Sequence, residues 1–321
     1  MFGRRALLGG ASALAMPAIA NAQPLFTRPV RFVLGFAAGG AGDITVRMLT
    51  PHMQAEIGQP IVVDNRPGAG GLISGEAVAR AAPDGHTMYL LTTSNMAAPA
   101  FYRTMPFDVT RDFTPVGRMV WYDHVIAVNP RLPVNSLAEL VALAKARPGS
   151  LNIGSIAVGN AQHLGVELFR AMAQVDMTTV TYRSSPELIL ALSNGDVQVA
   201  GELLAPLIPH VRSGAVKLLA VTAPSRFPSL PDVPTSAESG MPDYLVRSWN
   251  AIVFPANTPR PLVEAMNRAI RRALDVPEIR ARLIELGGLP EASTPDELGA
   301  MIPREVAAWG HMAQLAGVQK Q

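Results

Sequence analysis

Two glycine-rich runs hold the residues best suited to chemistry. The first is Phe36-Ala-Ala-Gly-Gly-Ala-Gly-Asp43, and the second is Gly154-Ser-Ile-Ala-Val-Gly159-Asn160. Each follows an apolar stretch of strand length and opens a helix, so each exposes backbone N–H groups beside the positive end of that helix. Such an arrangement holds anions. A tight strand-to-helix turn without a ligand has the same sequence, and for either run alone both readings stand. Ligands in open α/β sheets sit outside the carboxyl ends of strands, so two such runs facing one another would define a cleft.

Sharper chemistries can be drawn from the same residues and do not hold together. Gly40-x-Gly42 with Asp64 about twenty residues on imitates a dinucleotide fingerprint. Thr45 occupies its third glycine position, however, and nicotinamide cofactors are not expected outside the cytoplasm. The stretch from Gly68 to Gly75 has no Lys for a P-loop. Ser155 with His163 and either Glu202 or Asp176 suggests a hydrolase triad, a secreted serine esterase being the enzymatic alternative. No Gly-x-Ser-x-Gly elbow surrounds Ser155, and His163 falls inside a predicted helix one turn past the loop. No catalytic residue is assigned. His52, His86, His124, His163, His210 and His311 are scattered singly, so neither a metal nor a cofactor is expected.

The N-terminus sets the compartment. Residues 1–22 carry Arg4 and Arg5, an apolar stretch from Ala6 to Ala20, and Ala20-Asn21-Ala22 before Gln23, which together read as a cleaved signal peptide. The apolar run, interrupted by Gly and Pro17, is too short to span a bilayer. The paired arginines leave a twin-arginine route open, but the flanking residues match that signal poorly and the Sec route is expected. No other segment approaches transmembrane length. With no Cys there is no lipid anchor, disulfide or thiolate site. Removing the leader lowers Lys plus Arg from 27 to 25, equal to the 25 Asp plus Glu. A neutral mature surface argues against nucleic acid as a partner, since phosphate binding needs clustered cations. With 49% hydrophobic residues over its full length, the chain can fill two cores.

The elements that must position the glycine runs alternate in type. Strand Pro29–Phe36 leads to a helix over Ile44–Ile57, with Asp43 as N-cap, Gly58 as stop and a kink expected at Pro51. Strand Pro60–Asp64, the run Asn65-Arg-Pro-Gly-Ala-Gly-Gly71, a helix to Ala82 and strand Thr87–Thr92 follow. The rhythm restarts with strand Val125–Val128 and a capping box at Ser136 and Glu139. Then come strand Leu151–Ser155, helix Asn160–Ala173, strand Thr178–Tyr182, helix Pro186–Leu192, strand Val197–Ala200, helix Leu203–Ser213 and strand Lys217–Thr222. Strand Ile252–Phe254, helix Pro261–Leu274 and a last helix capped at Thr294 complete the chain. This is the rhythm of parallel sheets with crossover helices in two halves, with a helix-rich tail expected to return to the first.

The chain resembles the Bug proteins, the solute receptors of tripartite tricarboxylate transporters. The likeness lies in Pro29-Val-Arg-Phe-Val through Phe36-x-x-Gly-Gly-x-x-Asp43, and in Val63-Asp-Asn-Arg-Pro-Gly-Ala-Gly-Gly71. It continues through Ala82-Pro-Asp-Gly-His-Thr87, Phe107-Asp-x-x-x-Asp-Phe-Thr-Pro115, Gly154-Ser155, Gly159 and His163-Leu164. Pro209-His-Val-Arg-Ser-Gly214, Leu219-Ala-Val-Thr222 and Pro231-Asp-Val-Pro-Thr235 extend it over essentially the whole mature chain.

The resemblance implies a type II-like periplasmic-binding-protein fold, in which two α/β lobes joined by two crossover segments close on a central ligand cleft. Lobe one would comprise residues 27–126 plus 249–321, and lobe two residues 127–248. The implied function is a non-enzymatic periplasmic receptor for a small carboxylate, acting in uptake or sensing as a monomer. Its implied partners are transporter membrane subunits or, alternatively, a sensor kinase. One ligand carboxylate would be held by main-chain groups of the two glycine loops, with ordered water between. Phe36, Ala38, Gly39, Gly40 and Asp43, with Thr93 and Ser94 after the third strand, would serve from lobe one. Lobe two would supply Ser155, Val158, Gly159, Asn160, Tyr182, Ser184 and Glu202.

Backbone donors suit this task because they bind an anion without a cation that would hold it too tightly. Arg47 and Arg66 are the alternative anion partners, or else structural residues. Asp43 is expected to cap its helix and shape the loop, since a carboxylate beside a carboxylate ligand repels it. Departures from the family pattern fall at Ala37-Ala38, where prolines are usual, at Ser184-Ser185, where Gly-Gly is usual, and at Gly201-Glu202-Leu203, where an aromatic-Asp-Asn segment is usual. They suggest a roomier pocket with an added acid, and a ligand that is larger or bears an amine or hydroxyl near Glu202. Glu202 could instead form a lobe–lobe salt bridge.

Overall fold

The structure is a computed structural model and describes residues 24–320. The leader expected over residues 1–22 lies outside them.

The first half comprises β1 (Val30–Leu34), α1 (Ala41–Ile57), β2 (Ile61–Asn65), α2 (Leu72–Ala79), β3 (Thr87–Thr92) and α3 (Thr93–Phe101). β4 (Phe113–Val128) leads into α4 (Leu137–Ala146), β5 (Asn152–Ile156), α5 (Ala161–Ala173), β6 (Thr178–Tyr182), α6 (Ser185–Asn194), β7 (Val199–Leu203), α7 (Leu204–Arg212) and β8 (Lys217–Val221). The tail comprises β9 (Arg247–Pro255), α8 (Arg260–Asp275), α9 (Pro277–Glu285), β10 (Gly288–Pro290) and α10 (Pro295–Leu315).

β4 belongs to two strand sets. From Phe113 to Asp123 it runs antiparallel to β9, which pairs in turn with β3 and so with the parallel set β3-β1-β2. From His124 to Val128 it pairs instead with β7 and β8, and β7 is parallel to β5 and β6. One lobe therefore hands over to the other between two consecutive residues. The chain returns through a second crossing, where Val246 N donates to Thr222 O just before β9. The tail packs against the first strand set: α8 lies on α1, and α10 on α3 and β4.

Burial follows this plan. Phe32, Leu34, Leu49, Met88, Phe254 and Met266 form a core between α1, α8 and one face of the first set. Leu188, Leu192, Leu207 and Phe227 fill the outer face of the second. A third cluster spans both lobes, with Phe101, Leu164, Phe169, Trp249 and Trp309 in continuous contact.

One local expectation needs correcting. α1 starts at Ala41 with Gly40 as its N-cap, so Asp43 lies in the first turn rather than at the cap. The reason is visible in the loop: Gly39 adopts φ +90°, and its N–H donates back to Asp43 Oδ2 at 2.9 Å, winding the chain a turn early. The same helix runs through Pro51 as a single element to Gly58, which closes it in the left-handed region at φ +70°.

Candidate ligand site

Strand registers bring the glycine loops together. Thr92 at the carboxyl end of β3 stands opposite Asn250, near the start of β9. Leu203 at the carboxyl end of β7 stands opposite His124, the first residue of β4 in the second lobe. The carboxyl ends of both parallel sets therefore abut the crossing point and face each other. A ligand site of the kind that open α/β sheets provide falls between them.

In lobe one, Asp43 is buried and its carboxylate is fully occupied. It accepts from Gly39 N, from Arg47 Nε at 3.0 Å and from Asn65 Nδ2 at 3.0 Å, while Asn65 also donates to Phe36 O at 3.2 Å. Burial pushes the Asp43 pKa up, but the bonds from Arg47, Gly39 and Asn65 outweigh it and hold the carboxyl below its ordinary value. Asp43 thus braces the loop, and Arg47 and Arg66 are structural, Arg66 pairing with Asp64 at 2.9 Å. With that brace in place, Ala38, Gly39 and Gly40 remain exposed, and the Phe36 ring packs over Gly42. The N–H groups of Gly40, Ala41 and Gly42 have no acceptor among the described residues. Thr93 is buried, and its hydroxyl accepts from Trp249 N at 2.7 Å, tying α3 to β9; Ser94 beside it is half-buried.

In lobe two, Asn160 caps α5 by accepting from His163 N at 2.8 Å, and Ser184 caps α6. Ala157 at φ 33° and Gly159 at φ +92° turn the loop so that Val158 is exposed. Tyr182 ends β6 half-buried. Ser155 is fully buried, with its Oγ 3.1 Å from His163 Nδ1. Burial lowers the His163 pKa, opposed by Glu167, so the imidazole is held towards its neutral form.

No triad assembles around Ser155. Of the two acid candidates, Asp176 makes no hydrogen bond to His163 among the described residues, and Glu202 directs its carboxylate elsewhere: Oε1 accepts from Gln162 Nε2 at 3.2 Å and from Leu203 N at 2.6 Å, and Oε2 from Ser185 Oγ at 2.8 Å. These partners all lie in lobe two, so the lobe–lobe ion pair considered for Glu202 is absent among the described residues. The space expected to open at Gly201 is filled as well, because a Cβ there would meet Val166 Cγ2 at 2.4 Å. Burial pushes the Glu202 pKa up against the hydrogen bonds from Leu203, Ser185 and Gln162.

Three contributors escape sequence reasoning. Tyr102, at the end of α3, lies against the second glycine loop, and a Cβ on Gly159 would fall 2.8 Å from its hydroxyl. Asn250 is buried with its Nδ2 against the Gly42 Cα, where an added Cβ would come within 2.9 Å. Gln162 occupies the first turn of α5 above Glu202. Of these, only Gln162 carried a usable signal, two residues past the cap Asn160 on the loop's own helix.

Comparison with known proteins agrees with this geometry. Residues 45–318 match the model of the tripartite tricarboxylate transporter family receptor. The chain belongs to that family. Protein BugT of Bordetella pertussis is 32% identical over 95% of this chain and 94% of its own length. Among solved structures, R. palustris Rpa4515 with adipate superposes with TM-score 0.85 at 33% identity, covering 92% of this chain and 99% of that one. MatC from Rhodopseudomonas palustris with bound malate gives 0.81 at 31%, covering 89% and 99%. The family consists of solute receptors, and the chain is accordingly a receptor of the tripartite tricarboxylate type rather than an enzyme. Its two-lobed α/β architecture is that of the periplasmic binding proteins. Among the described residues no helix is long and apolar enough to cross a membrane.

Proposed function

We propose that this receptor works in the periplasm, exported through the signal peptide at residues 1–22, and closes its two lobes, which meet at Asp123/His124 and Val246/Arg247, around a small carboxylate. The observation that carries this reading is the opposition of two glycine loops, each presenting unpaired backbone N–H groups at the crossing between lobes. The N–H groups of Gly40, Ala41 and Gly42 and those of Val158, Gly159 and Asn160 hold the carboxylate, aided by the positive ends of α1 and α5. Phe36, Ala38, Gly39, Thr93, Ser94, Tyr182 and Ser184 form the walls, with Ser155, Asp43 and Glu202 shaping them from beneath. The adipate and malate held by its structural relatives support this ligand class. The loaded receptor acts as a monomer and delivers its ligand to the membrane subunits of a tripartite transporter.

A thermal-shift screen of the mature protein against mono- and dicarboxylates, amino acids and aromatic acids tests the reading, because a ligand that binds only the folded state raises apparent stability by mass action. A carboxylate that raises the melting temperature supports it. A shift with uncharged compounds alone would overturn it.

A further inference from the structure

We infer that Glu202 sets the charge class of the ligand, selecting molecules with a single carboxylate whose far end donates hydrogen bonds and rejecting dicarboxylates. This rests on the receptor reading and specifies its ligand.

The carboxylate of Glu202 stands at the carboxyl edge of β7, between the first turns of α5 and α6. Gln162 of α5 and Ser185 of α6 both donate to it, as does Leu203 N. Two helix N-termini converging on one point form the position in lobe two that would most attract a ligand anion. Here the protein's own carboxylate holds that position, fully buried and without a cationic partner among the described residues. Its three donors favour the ionised carboxylate against the burial that pushes its pKa up, and a second ligand carboxylate brought to this side would then meet a like charge at low dielectric.

Glu202 also sets the polarity of what the cleft can touch. Because its carboxylate takes the Gln162 amide N–H, the Gln162 carbonyl is turned away from it. That carbonyl oxygen accepts no hydrogen bond among the described residues and, not being one of the sealed unpaired atoms, keeps access to solvent. Ser185 likewise gives its proton to Glu202 and keeps its lone pairs free. Lobe two therefore offers acceptors beside the glycine loop, which suit an ammonium, amide or hydroxyl. The two glycine loops, by contrast, offer backbone donors. A ligand reaching from those loops to Gln162 and Ser185 carries an anion at one end and a donor at the other.

Calorimetric titration of the mature receptor with matched pairs, α,ω-dicarboxylates against ω-amino monocarboxylates of three to eight carbons, reads this preference directly. Adipate against 6-aminohexanoate is one such pair. The amino acid of the best-fitting length should bind at least about tenfold more tightly than its diacid. In Glu202→Gln the ratio should fall towards one as the diacid gains affinity. Gln162→Leu keeps the buried charge and removes the free carbonyl, so it should weaken the amino acid while the diacid stays excluded. This second variant decides the matter if Glu202→Gln does not fold. Tighter binding of the diacid by the native receptor, or a ratio that neither variant moves, overturns the inference while leaving a carboxylate receptor intact. Failure of every carboxylate to bind overturns the receptor reading itself.

Discussion

Asp123 and Arg247 face each other in the last rung that joins β4 to β9, with Arg247 Nε 2.7 Å from Asp123 Oδ1. One residue further on, β4 belongs to the other lobe. The Asp123 side chain is 1% exposed and its Oδ2 has no partner among the described residues, so the guanidinium is its principal compensation. Arg247 also stacks on Trp121, which holds Arg118 on its ring as well, at 4.6 and 4.5 Å respectively. A diagonal contact beside it is tied differently, His124 Nε2 lying 2.7 Å from Ser248 Oγ. The two crossing strands are thus pinned where the lobes must rotate, and the pins are polar.

Removing Arg247 should cost more than removing the charge on Asp123. Arg247→Met leaves a buried carboxylate without its cation and should lower stability by about 3 kcal/mol. Asp123→Asn removes the charge that burial already disfavours, burial being what pushes the Asp123 pKa up despite Arg247. Urea unfolding of both variants checks the order, and equal losses would contradict it.

Gly159 should tolerate no side chain. At φ +92° an alanine incurs about 1–2 kcal/mol of left-handed strain, and its Cβ would also lie 2.8 Å from the Tyr102 hydroxyl. Tyr102→Phe removes that oxygen, so the double variant should recover part of the loss seen in Gly159→Ala. A double-mutant cycle of melting temperatures measures the coupling. Strict additivity would mean that the loop does not bear on α3.

Much of this was legible beforehand, and the exceptions have physical causes. β3 and β6 match their expected ranges of Thr87–Thr92 and Thr178–Tyr182: β6 is filled by β-branched and aromatic residues, β3 by an apolar run flanked by threonines, each between clear breaks. Only Val125–Val128 of β4 was readable. Upstream, Pro115, Gly117, Arg118, Asp123 and His124 interrupt the apolar pattern, and bulges at Pro115/Gly117 and Arg118/Val120 absorb them. α3 was hidden because it follows β3 with no intervening turn and contains Pro99. Both glycine loops were found, since their chemistry is local. The contact of Gly159 with Tyr102 and the partners of Glu202 depend on distant segments meeting, and no spacing records that.

Acid should weaken the crossing point through His124. Burial pushes its pKa from 6.5 to about 3, so the unfolded chain takes up a proton that the folded protein refuses across that interval. Stability rises with pH wherever the unfolded state holds more protons, so it is fully present above pH 6.5 and is lost as pH falls towards 3. The loss is about 1.4 kcal/mol per pH unit. His124→Gln can keep the bond to Ser248 without the titration, and its stability should fall less steeply between pH 6 and 4, by roughly one proton's slope. Unfolding curves collected across that range test this. An unchanged slope would mean that His124 does not titrate differently on folding.

Ligand-driven closure should be readable in tryptophan fluorescence, through Trp121 above all. All three tryptophans gather near the crossing: Trp121 pairs with Trp249 in the β4–β9 ladder, and Trp249 and Trp309 both donate Nε1 to Glu305 Oε2 at 3.1 Å. Trp249 and Trp309 are sealed in the core that spans the lobes, whereas Trp121 is half-buried between two guanidinium groups. Arg247 is the lobe-one residue next to the second crossing, directly after Val246, whose N–H is held by Thr222 of the other lobe, so rotation there pulls on Arg247 while Arg118 stays fixed within the β4–β9 ladder. The indole between them therefore changes its electrostatic surroundings, while the other two keep theirs. Saturating carboxylate should shift the emission of the native protein, and Trp121→Phe should remove most of that shift without abolishing the thermal stabilisation. If the shift persists in that variant, closure is being felt in the core rather than at the Arg118–Trp121–Arg247 stack.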